Sequence, residues 1–328
     1  MNAPANSQFL SNCTVDSLDQ AALALQKGAL IAFPTETVYG LGADAVSSKA
    51  VARIYEVKGR PSDHPLIVHI PSLDSLDVWT SDLPTYAISL ARDFWPGPMT
   101  LVLPRSDVAK DFITGGQETV GLRVPAHPLA LGLLNSFKKI GGLGIAAPSA
   151  NRFGQVSPTT AQAVEEEIGQ YLLPTDFILD GGPALVGVES TIIDCTQPSP
   201  RILRHGAITE EMIEASTGLH VINDEVHDIR VSGSLDKHYS PKAKVILNAL
   251  AESGEGFLAL SSIPTPKGAI RLASPSSVDE YSRMLYSALR AADTQGLARI
   301  VVIPPEGDGL ALAIRDRLLR ASRGRESQ

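Results

Sequence analysis

The sequence predicts an α/β protein of two units: a larger unit with a mixed or largely parallel sheet, then a smaller α/β unit. Short β-rich apolar runs alternate with segments of helical period almost throughout. A chain of 328 residues has the length of about two domains. Polar sequence without a clear period interrupts the alternation at residues 219–242. We therefore expect a first unit at 1–218, a linker at 219–242 and a second unit at 243–328.

In the first unit, short apolar runs predict strands at residues 30–33, 66–69, 99–103, 119–124, 144–147, 177–179, 190–194 and 201–204. Apolar residues at helical spacing predict helices at residues 17–27, 49–58, 85–94, 128–137, 159–168 and 210–216. Lys58 followed by Gly59 and Pro61 is typical of a helix end. Ser157 followed by Pro158 predicts the start of the helix that follows, a position suited to an anion.

The second unit repeats the alternation on a smaller scale. We expect strands at residues 245–247, 256–260, 269–272 and 300–303, and helices at 277–293 and 310–321. The final segment, 315–325, holds five arginines and one aspartate. Such a charge run predicts the solvated face of a terminal helix.

Composition limits the class of protein. The chain is 44% hydrophobic and 20% charged, which excludes a disordered chain. Its apolar runs are far shorter than the roughly 18 residues of a membrane span. The first twenty residues lack the basic and apolar regions of an export signal, which favours a cytoplasmic protein. Cys13 and Cys195 are too few for a disulfide framework and are expected to be free thiols.

Several common site motifs are absent from the sequence. Gly40 and Gly42 begin a dinucleotide fingerprint that lacks its third glycine, and no phosphate-binding P-loop occurs. His64 and His69 have no carboxylate or cysteine at zinc spacing, so we expect no metal held by protein ligands alone. The order of residues typical of a Ser–His–Asp triad is also absent.

Polar side chains instead gather where the predicted strands end. Residues 33–42, FPTETVYGLG, form a predicted loop ending in glycines, and its composition suits a site or a turn equally. Lys58 and Arg60 precede His64 and His69, and this concentration of cations and donors suits an anionic ligand. Arg123 lies inside an apolar strand and requires an anionic partner, from the protein or from a ligand.

The later polar segments have the same character. Residues 147–151, 188–194 and 201–206 add hydroxyls and cations at further strand ends. A site of cations and hydroxyl donors catalyses by orienting anions and by stabilising charge on a phosphoryl group.

These segments, in this order, resemble the YrdC-like threonylcarbamoyl-AMP synthases over about residues 14–215. The motifs are FPTETVYGLG, Lys58-Gly59-Arg60, GLRVP, Ser149-Ala150-Asn151, VESTIID and ILRHG. Residues 230–241 resemble the interdomain linker of the long form of the family, with Ser232 where that family tends to have proline. The resemblance implies a twisted, open mixed sheet with flanking helices, and a Rossmann-like α/β fold for the smaller unit.

The resemblance also implies the reaction of L-threonine, bicarbonate or CO2, and ATP to threonylcarbamoyl-AMP and pyrophosphate. A separate transferase complex would use the product to modify tRNA, so contact with tRNA is possible but not required. Magnesium would arrive with ATP. The implied threonine-binding residues are Thr37, His69, Arg123, Ala147 and Ser190. The implied ATP-binding residues are Arg60, His64, Thr119, Ser149, Asn151, Ser157 and Arg204.

Lys58 and Arg60 are the implied catalytic residues, since their charge would offset that of phosphate and carbamate. Thr35 and Tyr39 are candidates for supporting that site. Arg230, His238 and Tyr239 of the linker are candidates for a lid that excludes water from the labile mixed anhydride.

Two other functions stay open at this stage. One is a module that binds double-stranded RNA or tRNA, with Lys58, Arg60, Arg123 and Arg204 on a concave surface. Residues 1–240 hold 16 Lys and Arg against 27 Asp and Glu, a net charge of −11, which disfavours that alternative. The other is a different carbamoyl or adenylyl transferase on the same scaffold, but the acylphosphatase and zinc-finger-like segments of the related hydrogenase-maturation enzymes are absent here.

Overall fold

The first unit is built on a large mixed sheet. The computed structural model describes residues 8–10, 14–222, 228–233 and 238–324. Within these ranges, the strands are β1 (Gln8–Leu10), β2 (Ile31–Phe33), β3 (Gly40–Asp44), β4 (Ile67–His69), β5 (Met99–Pro104), β6 (Thr119–Arg123), β7 (Ile145–Ala146), β8 (Phe177–Leu179), β9 (Thr191–Asp194) and β10 (Arg201–Arg204). Their order across the sheet is β1-β8-β2-β3-β7-β4-β6-β5-β9-β10. The sheet contains both parallel pairs, such as β4–β6, and antiparallel pairs, such as β9–β10, so the predicted mixed sheet is confirmed.

Helices flank this sheet. They are α1 (Val15–Gln26), α2 (Ser48–Lys58), α3 (Thr85–Phe94), α4 (Asp111–Thr114), α5 (Pro128–Lys139), α6 (Ala161–Ile168) and α7 (Glu210–Thr217). The end of α2 confirms the predicted stop signal: Gly59 follows it in the left-handed conformation, with φ of 61°. Its N–H and that of Arg60 bond back to the carbonyls of Glu56 and Tyr55, which directs the following loop across the sheet.

The second unit has its own parallel sheet. Its strands are β11 (Lys244–Leu247), β12 (Gly256–Leu258), β13 (Ile270–Ala273) and β14 (Arg299–Val302), in the order β11-β14-β12-β13. Two helices, α8 (Val278–Thr294) and α9 (Leu310–Ser322), pack on it. The core around these helices continues into the first unit through Val38, Val156 and Val188. None of the described helices is long and apolar enough to cross a membrane.

Three local predictions are wrong. Residues 40–44 form strand β3 rather than a loop, and Gly42 is needed there because a Cβ would lie 2.6 Å from the Ile145 side chain. Helix α6 begins at Ala161 with Thr160 as its N-cap, so Ser157 does not start it. The short strand β1, at the edge of the sheet, is absent from the prediction.

The interpretation of the basic tail as a solvated face is wrong for Arg317, which is 1% exposed. This side chain is buried between the two units because it pairs with Glu189 of the first. Arg325 lies outside the described residues. Cys195 is a buried free thiol, while Cys13 lies outside the described residues.

Candidate active site

A small pocket, with a cavity volume of about 40 Å³, lies where the loop before β3 and the ends of several strands meet the linker. Its walls come from segments that are far apart in sequence. They are Thr35, Thr37, Val38, Gly40, Ile67, His69, Arg123, Ala147, Pro148, Ser149, Glu189, Ser190, Arg204, Ser232, Gly233, His238 and Tyr239. All five candidate threonine-binding residues are among them.

Arg123, the last residue of β6, already has a protein partner in this pocket. Its Nη2 donates to Glu36 Oε1 at 2.7 Å and to Thr37 Oγ1 at 3.0 Å. The other carboxylate oxygen of Glu36 accepts from the Ala126 N–H at 2.9 Å. The Nε of Arg123 has no hydrogen-bond partner in the described part of the chain, although it is buried. The anion that the buried arginine requires is therefore Glu36, with donor capacity left for a ligand.

His69 ends the neighbouring strand β4 and is neutral. Burial, reinforced by the charge of Arg123, lowers the pKa of His69 to about 3. Its Nδ1 is buried and has no partner among the residues described. His69 can therefore offer a hydrogen bond to a ligand but not a positive charge.

Arg204, at the end of β10, fixes the opposite wall. Its Nε and Nη2 donate to the Ser190 carbonyl at 3.1 and 2.9 Å. Its Nη1 donates to the carbonyl of Ser232, a linker residue, at 2.7 Å. Arg60 lies next to it: Nη1 is 3.5 Å from Ser232 Oγ, and Nη2 donates to the Pro65 carbonyl. Burial lowers the pKa of Arg60 to about 10, so the side chain stays charged at neutral pH.

Lys58 does not line the pocket but supports its wall from behind. Its Nζ donates to the backbone carbonyls of Ser149, at 2.6 Å, and of Asn151. Burial, with the nearby charge of Arg60, lowers the pKa of Lys58 well below its usual value. The Asn151 amide donates to the carbonyls of Arg152 and of residue 155, which orders the same loop.

Arg60 and five other candidates lie outside the lining of the pocket. Ser157 donates its hydroxyl to Glu189 Oε1 at 2.6 Å. Thr119 and Arg230 line a separate cavity of about 20 Å³ that shares Ser232 and Ile67 with the pocket. His64 makes an edge-on ring contact with Phe153, which makes the same contact with His238. Tyr39, a candidate supporting residue, donates to the Gly182 carbonyl.

Four described residues of the linker line the pocket. They are Ser232, Gly233, His238 and Tyr239. Tyr239 is 1% exposed and has a positive φ of 59°. Gly233 also has a positive φ, 82°, and a Cβ there would lie 2.3 Å from Tyr239 Oη. Residues 234–237 of the predicted lid lie outside the described residues.

Sequence reasoning missed the role of two carboxylates, Glu36 and Glu189. Both belong to motifs that it used, and both are bound to buried arginines. Their role could have been inferred from the sequence, because a carboxylate in an otherwise apolar or hydroxyl-rich motif is expected to be buried and then needs a cation beside it. Ser232, where the related linkers tend to have proline, was also missed as a pocket residue.

The arrangement contradicts the RNA-binding alternative. Lys58, Arg60, Arg123 and Arg204 are only 2%, 7%, 4% and 6% exposed. Four buried cations cannot neutralise the phosphates of a duplex that lies on the surface.

Comparisons with known proteins agree with this geometry. The family model for Sua5, YciO and YrdC proteins, described as "Telomere recombination", matches residues 23–206. A second model, described as the C-terminal domain of threonylcarbamoyl-AMP synthase, matches residues 208–323.

Relatives match nearly the whole chain. The threonylcarbamoyl-AMP synthase of Pyrococcus abyssi is 41% identical over 92% of this chain and 93% of its own length. That of Bacillus subtilis is 39% identical, with 93% of each chain covered. The crystal structure of Pyrococcus abyssi Sua5 complexed with L-threonine superposes with a TM-score of 0.85, at 37% identity and 97% coverage of both chains. The chain therefore belongs to the Sua5/YciO/YrdC family, among the threonylcarbamoyl-AMP synthases that carry the additional C-terminal domain.

Proposed function

We propose that this chain joins L-threonine, bicarbonate or CO2, and ATP into threonylcarbamoyl-AMP and releases pyrophosphate. The observation that carries the proposal is the convergence of Thr37, His69, Arg123, Ala147 and Ser190 on one pocket, in which Arg123 keeps an unpaired Nε. The relative with 97% coverage that binds L-threonine supports the same substrate here.

The chemistry requires three anionic groups to come together. The neutral amine of threonine adds to the carbon of CO2, which gives a carbamate and releases a proton. A carbamate oxygen then attacks the α-phosphorus of ATP, and the bond from that phosphorus to the pyrophosphate oxygen breaks. Repulsion among carboxylate, carbamate and phosphates opposes this approach, and buried cations reduce it.

We assign the threonine carboxylate to Arg123. Glu36 and Thr37 hold one edge of its guanidinium, which leaves Nε for the substrate. A guanidinium that is already oriented can donate from Nε to a carboxylate with little loss of freedom, and a hydrogen bond between two charged groups is strong. Neutral His69 and Ser190 complete the wall around the rest of the amino acid.

We assign the phosphates of ATP to Arg60 and Arg204, with Lys58 holding the adjacent wall. The hydroxyl and carbonyl of Ser232 now contact these two arginines. Phosphate oxygens would replace those contacts, so the linker must shift when ATP enters. His64, Thr119, Ser149, Asn151 and Ser157 stay predicted contacts of the nucleotide.

We propose that the linker then closes over the reactants as a lid. Tyr239 and His238 are already buried over the pocket, and Arg230 anchors the start of the lid: its Nη2 donates to the Gly115 carbonyl at 2.7 Å. A closed lid would protect the mixed anhydride from water.

Magnesium is proposed to enter with ATP. The described residues contain no group of three His, Cys, Asp or Glu side chains placed to hold a metal ion. The two carboxylates at the pocket, Glu36 and Glu189, are each paired with an arginine. Phosphate oxygens and water are the ligands that Mg²⁺ commonly keeps in such sites.

We further propose that residues 1–218 carry out the chemistry, that 219–242 form the lid, and that the product passes to a separate tRNA-modifying transferase complex. The test is pyrophosphate release with Mg²⁺ and ATP, measured with both L-threonine and bicarbonate present and with each omitted. We expect release only when both are present. Equal release without threonine or without bicarbonate would contradict the reaction.

A further inference from the structure

Arg317 on α9 reaches from the second unit to the sheet of the first. Its Nε donates to Glu189 Oε2 at 2.9 Å, and its Nη2 donates to the His205 carbonyl at 2.9 Å. Its Nη1 donates to Asp316 on the same helix. Arg317 is 1% exposed, so its guanidinium is a buried bridge between Glu189, two residues before β9, and His205, directly after β10.

One of these contacts, Glu189, lines the pocket, and the other, His205, directly follows a pocket residue. Glu189 precedes Ser190, and His205 follows Arg204, so Arg317 binds the immediate neighbours of two pocket residues. Strand β10 is the outermost strand on its side of the described sheet. No further strand of the described sheet holds the outer side of its end, and Arg317 of α9 binds the carbonyl of the residue that follows it.

The carboxylate of Glu189 extends this bridge. Its Oε1 accepts from Ser157, and its Oε2 accepts from Tyr286 Oη of α8 at 2.9 Å as well as from Arg317. Burial alone would raise the pKa of Glu189, but the charges of Arg317 and Arg204 and these hydrogen bonds lower it to about 2. Glu189 is therefore ionised throughout the range in which the protein works, and both of its oxygens are occupied.

The same two helices hold the lid. The guanidinium of Arg317 lies 5.3 Å from the centre of the Tyr239 ring. The ring of Tyr286 is stacked on Tyr239, with the two centres 5.7 Å apart. Arg317 and Tyr286 thus contact the sheet through Glu189 and the linker through Tyr239.

We propose that Arg317 is a positioning residue for the synthase reaction: by binding Glu189 and the His205 carbonyl, it holds Ser190 and Arg204 in working geometry against the closed lid. This assigns the second unit a part in the reaction and rests on the proposed function. Replacing both partners of a buried ion pair with apolar groups is often neutral for folding, so such a pair contributes little to stability, whereas displacing a site group by about 1 Å can cost roughly 10²-fold in rate. Removing only one partner leaves a buried charge and is destabilising, so the experiments include a variant in which neither charge remains.

The test compares Arg317→Met and Arg317→Lys with Arg315→Met. Arg315 lies on the same helix, and its hydrogen bonds within the described residues go to the carbonyls of Pro305 and Gly307 in its own unit, so it is the matched control. We expect Arg317→Met to lower kcat/KM for threonine-dependent pyrophosphate release about 10- to 100-fold and to raise the Kd of ATP in calorimetry. Arg317→Lys should recover only part of both, and Arg315→Met should stay within twofold of wild type.

A pH profile separates positioning from a general loss of folded protein. Without Arg317, burial should raise the pKa of Glu189. As the pH is lowered from 8 to 5, kcat/KM should therefore decrease more in Arg317→Met than in wild type. Glu189→Gln combined with Arg317→Met should lack this decline because no carboxylate is left to titrate. The charged or titratable groups that face Glu189 are Arg204, His238, Tyr239, Tyr286 and Arg317.

If Arg317→Met has the kcat/KM and the ATP Kd of wild type, the proposal is overturned. It is also overturned if Arg317→Met and the double variant have the same pH profile. If Arg317→Met does not fold, Arg317→Lys and Tyr286→Phe decide by the same measurements, since Tyr286→Phe keeps the stacked ring and removes one hydrogen bond. If wild type itself shows no threonine-dependent release, the proposed function fails, and the ATP Kd values alone decide the role of Arg317.

Discussion

Glu36 holds Arg123 in position by a buried ion pair of 2.7 Å, and the second oxygen of Glu36 is fixed by the Ala126 N–H. The guanidinium is therefore oriented before any substrate arrives. Because the Arg123 side chain is already ordered, less conformational entropy is lost when a ligand binds to it. Glu36 therefore contributes to affinity although it does not itself contact the ligand.

Arg123→Lys should weaken threonine binding about 10- to 100-fold. An ammonium cannot bind Glu36 and a carboxylate with the same planar geometry, and a hydrogen bond to a charged group contributes about 1.5–3 kcal/mol. The measurement is the Kd of L-threonine by calorimetry. Arg105→Lys is the control, because Arg105 pairs with the exposed Asp111 and Glu118 at the surface. An unchanged threonine Kd in Arg123→Lys would remove the assigned role.

Sequence reasoning succeeded where the local pattern is strong. Helix α3 has the predicted bounds, and the strand that ends in Arg123 differs by one residue, because apolar periodicity and buried β-branched runs are local properties. Strand β3 was not predicted because glycine is rare in strands, and the reason for Gly42 is its contact with Ile145, about a hundred residues away.

For the site, the motifs identified the residues of the pocket but not the contacts between them. The pairing of Arg123 with Glu36 joins two motifs and depends on how β6 packs beside the loop before β3. Arg317 could not be placed from its own segment, since a run of arginines on a terminal helix is usually solvated. Only the docking of α9 on the first unit shows that this arginine is buried.

Lys58→Ala and Arg60→Ala should both reduce pyrophosphate release, for different reasons. The first leaves the carbonyls of Ser149 and Asn151 without the donor that now binds them, so it should also lower the free energy of unfolding by about 1–3 kcal/mol. The second removes a cation assigned to phosphate and should mainly raise the KM for ATP. Urea unfolding and steady-state kinetics distinguish the two effects.

The control for these two variants is Lys49→Ala, at an exposed position at the start of α2. It should match wild type in both measurements. Retention of full activity by Lys58→Ala would show that the Ser149 loop does not need its buried ammonium.

Gly233→Ala should impair the lid while leaving the chemical step largely intact. The new Cβ would meet Tyr239 Oη at 2.3 Å, and the φ of 82° already disfavours alanine. We expect pyrophosphate release to continue, but the yield of intact threonylcarbamoyl-AMP per pyrophosphate to fall because water reaches the product. Chromatography of the reaction mixture measures that ratio.

Gly218→Ala is the matched control for Gly233→Ala. Gly218 has a φ of 68°, ends α7, and has no atom within 4 Å of the added Cβ. Gly218→Ala should unfold at a lower temperature, because alanine disfavours a positive φ. Its ratio of intact threonylcarbamoyl-AMP to pyrophosphate should be unchanged. A Gly233→Ala enzyme with the wild-type ratio would argue against a water-excluding lid.

Acid should destabilise this protein through its buried histidines. Burial lowers the pKa of His69 and of His238 to about 3, compared with 6.5 in the unfolded chain. As pH falls below 6.5, the unfolded chain takes up protons that the folded chain does not, so the free energy of unfolding decreases by up to about 1.4 kcal/mol per pH unit for each histidine. His238→Gln should therefore flatten the decrease measured by urea unfolding between pH 6.5 and pH 5. In that window Glu189, with a pKa of about 2, stays ionised in the folded state. A slope in His238→Gln equal to that of wild type would mean that His238 titrates normally in the folded protein.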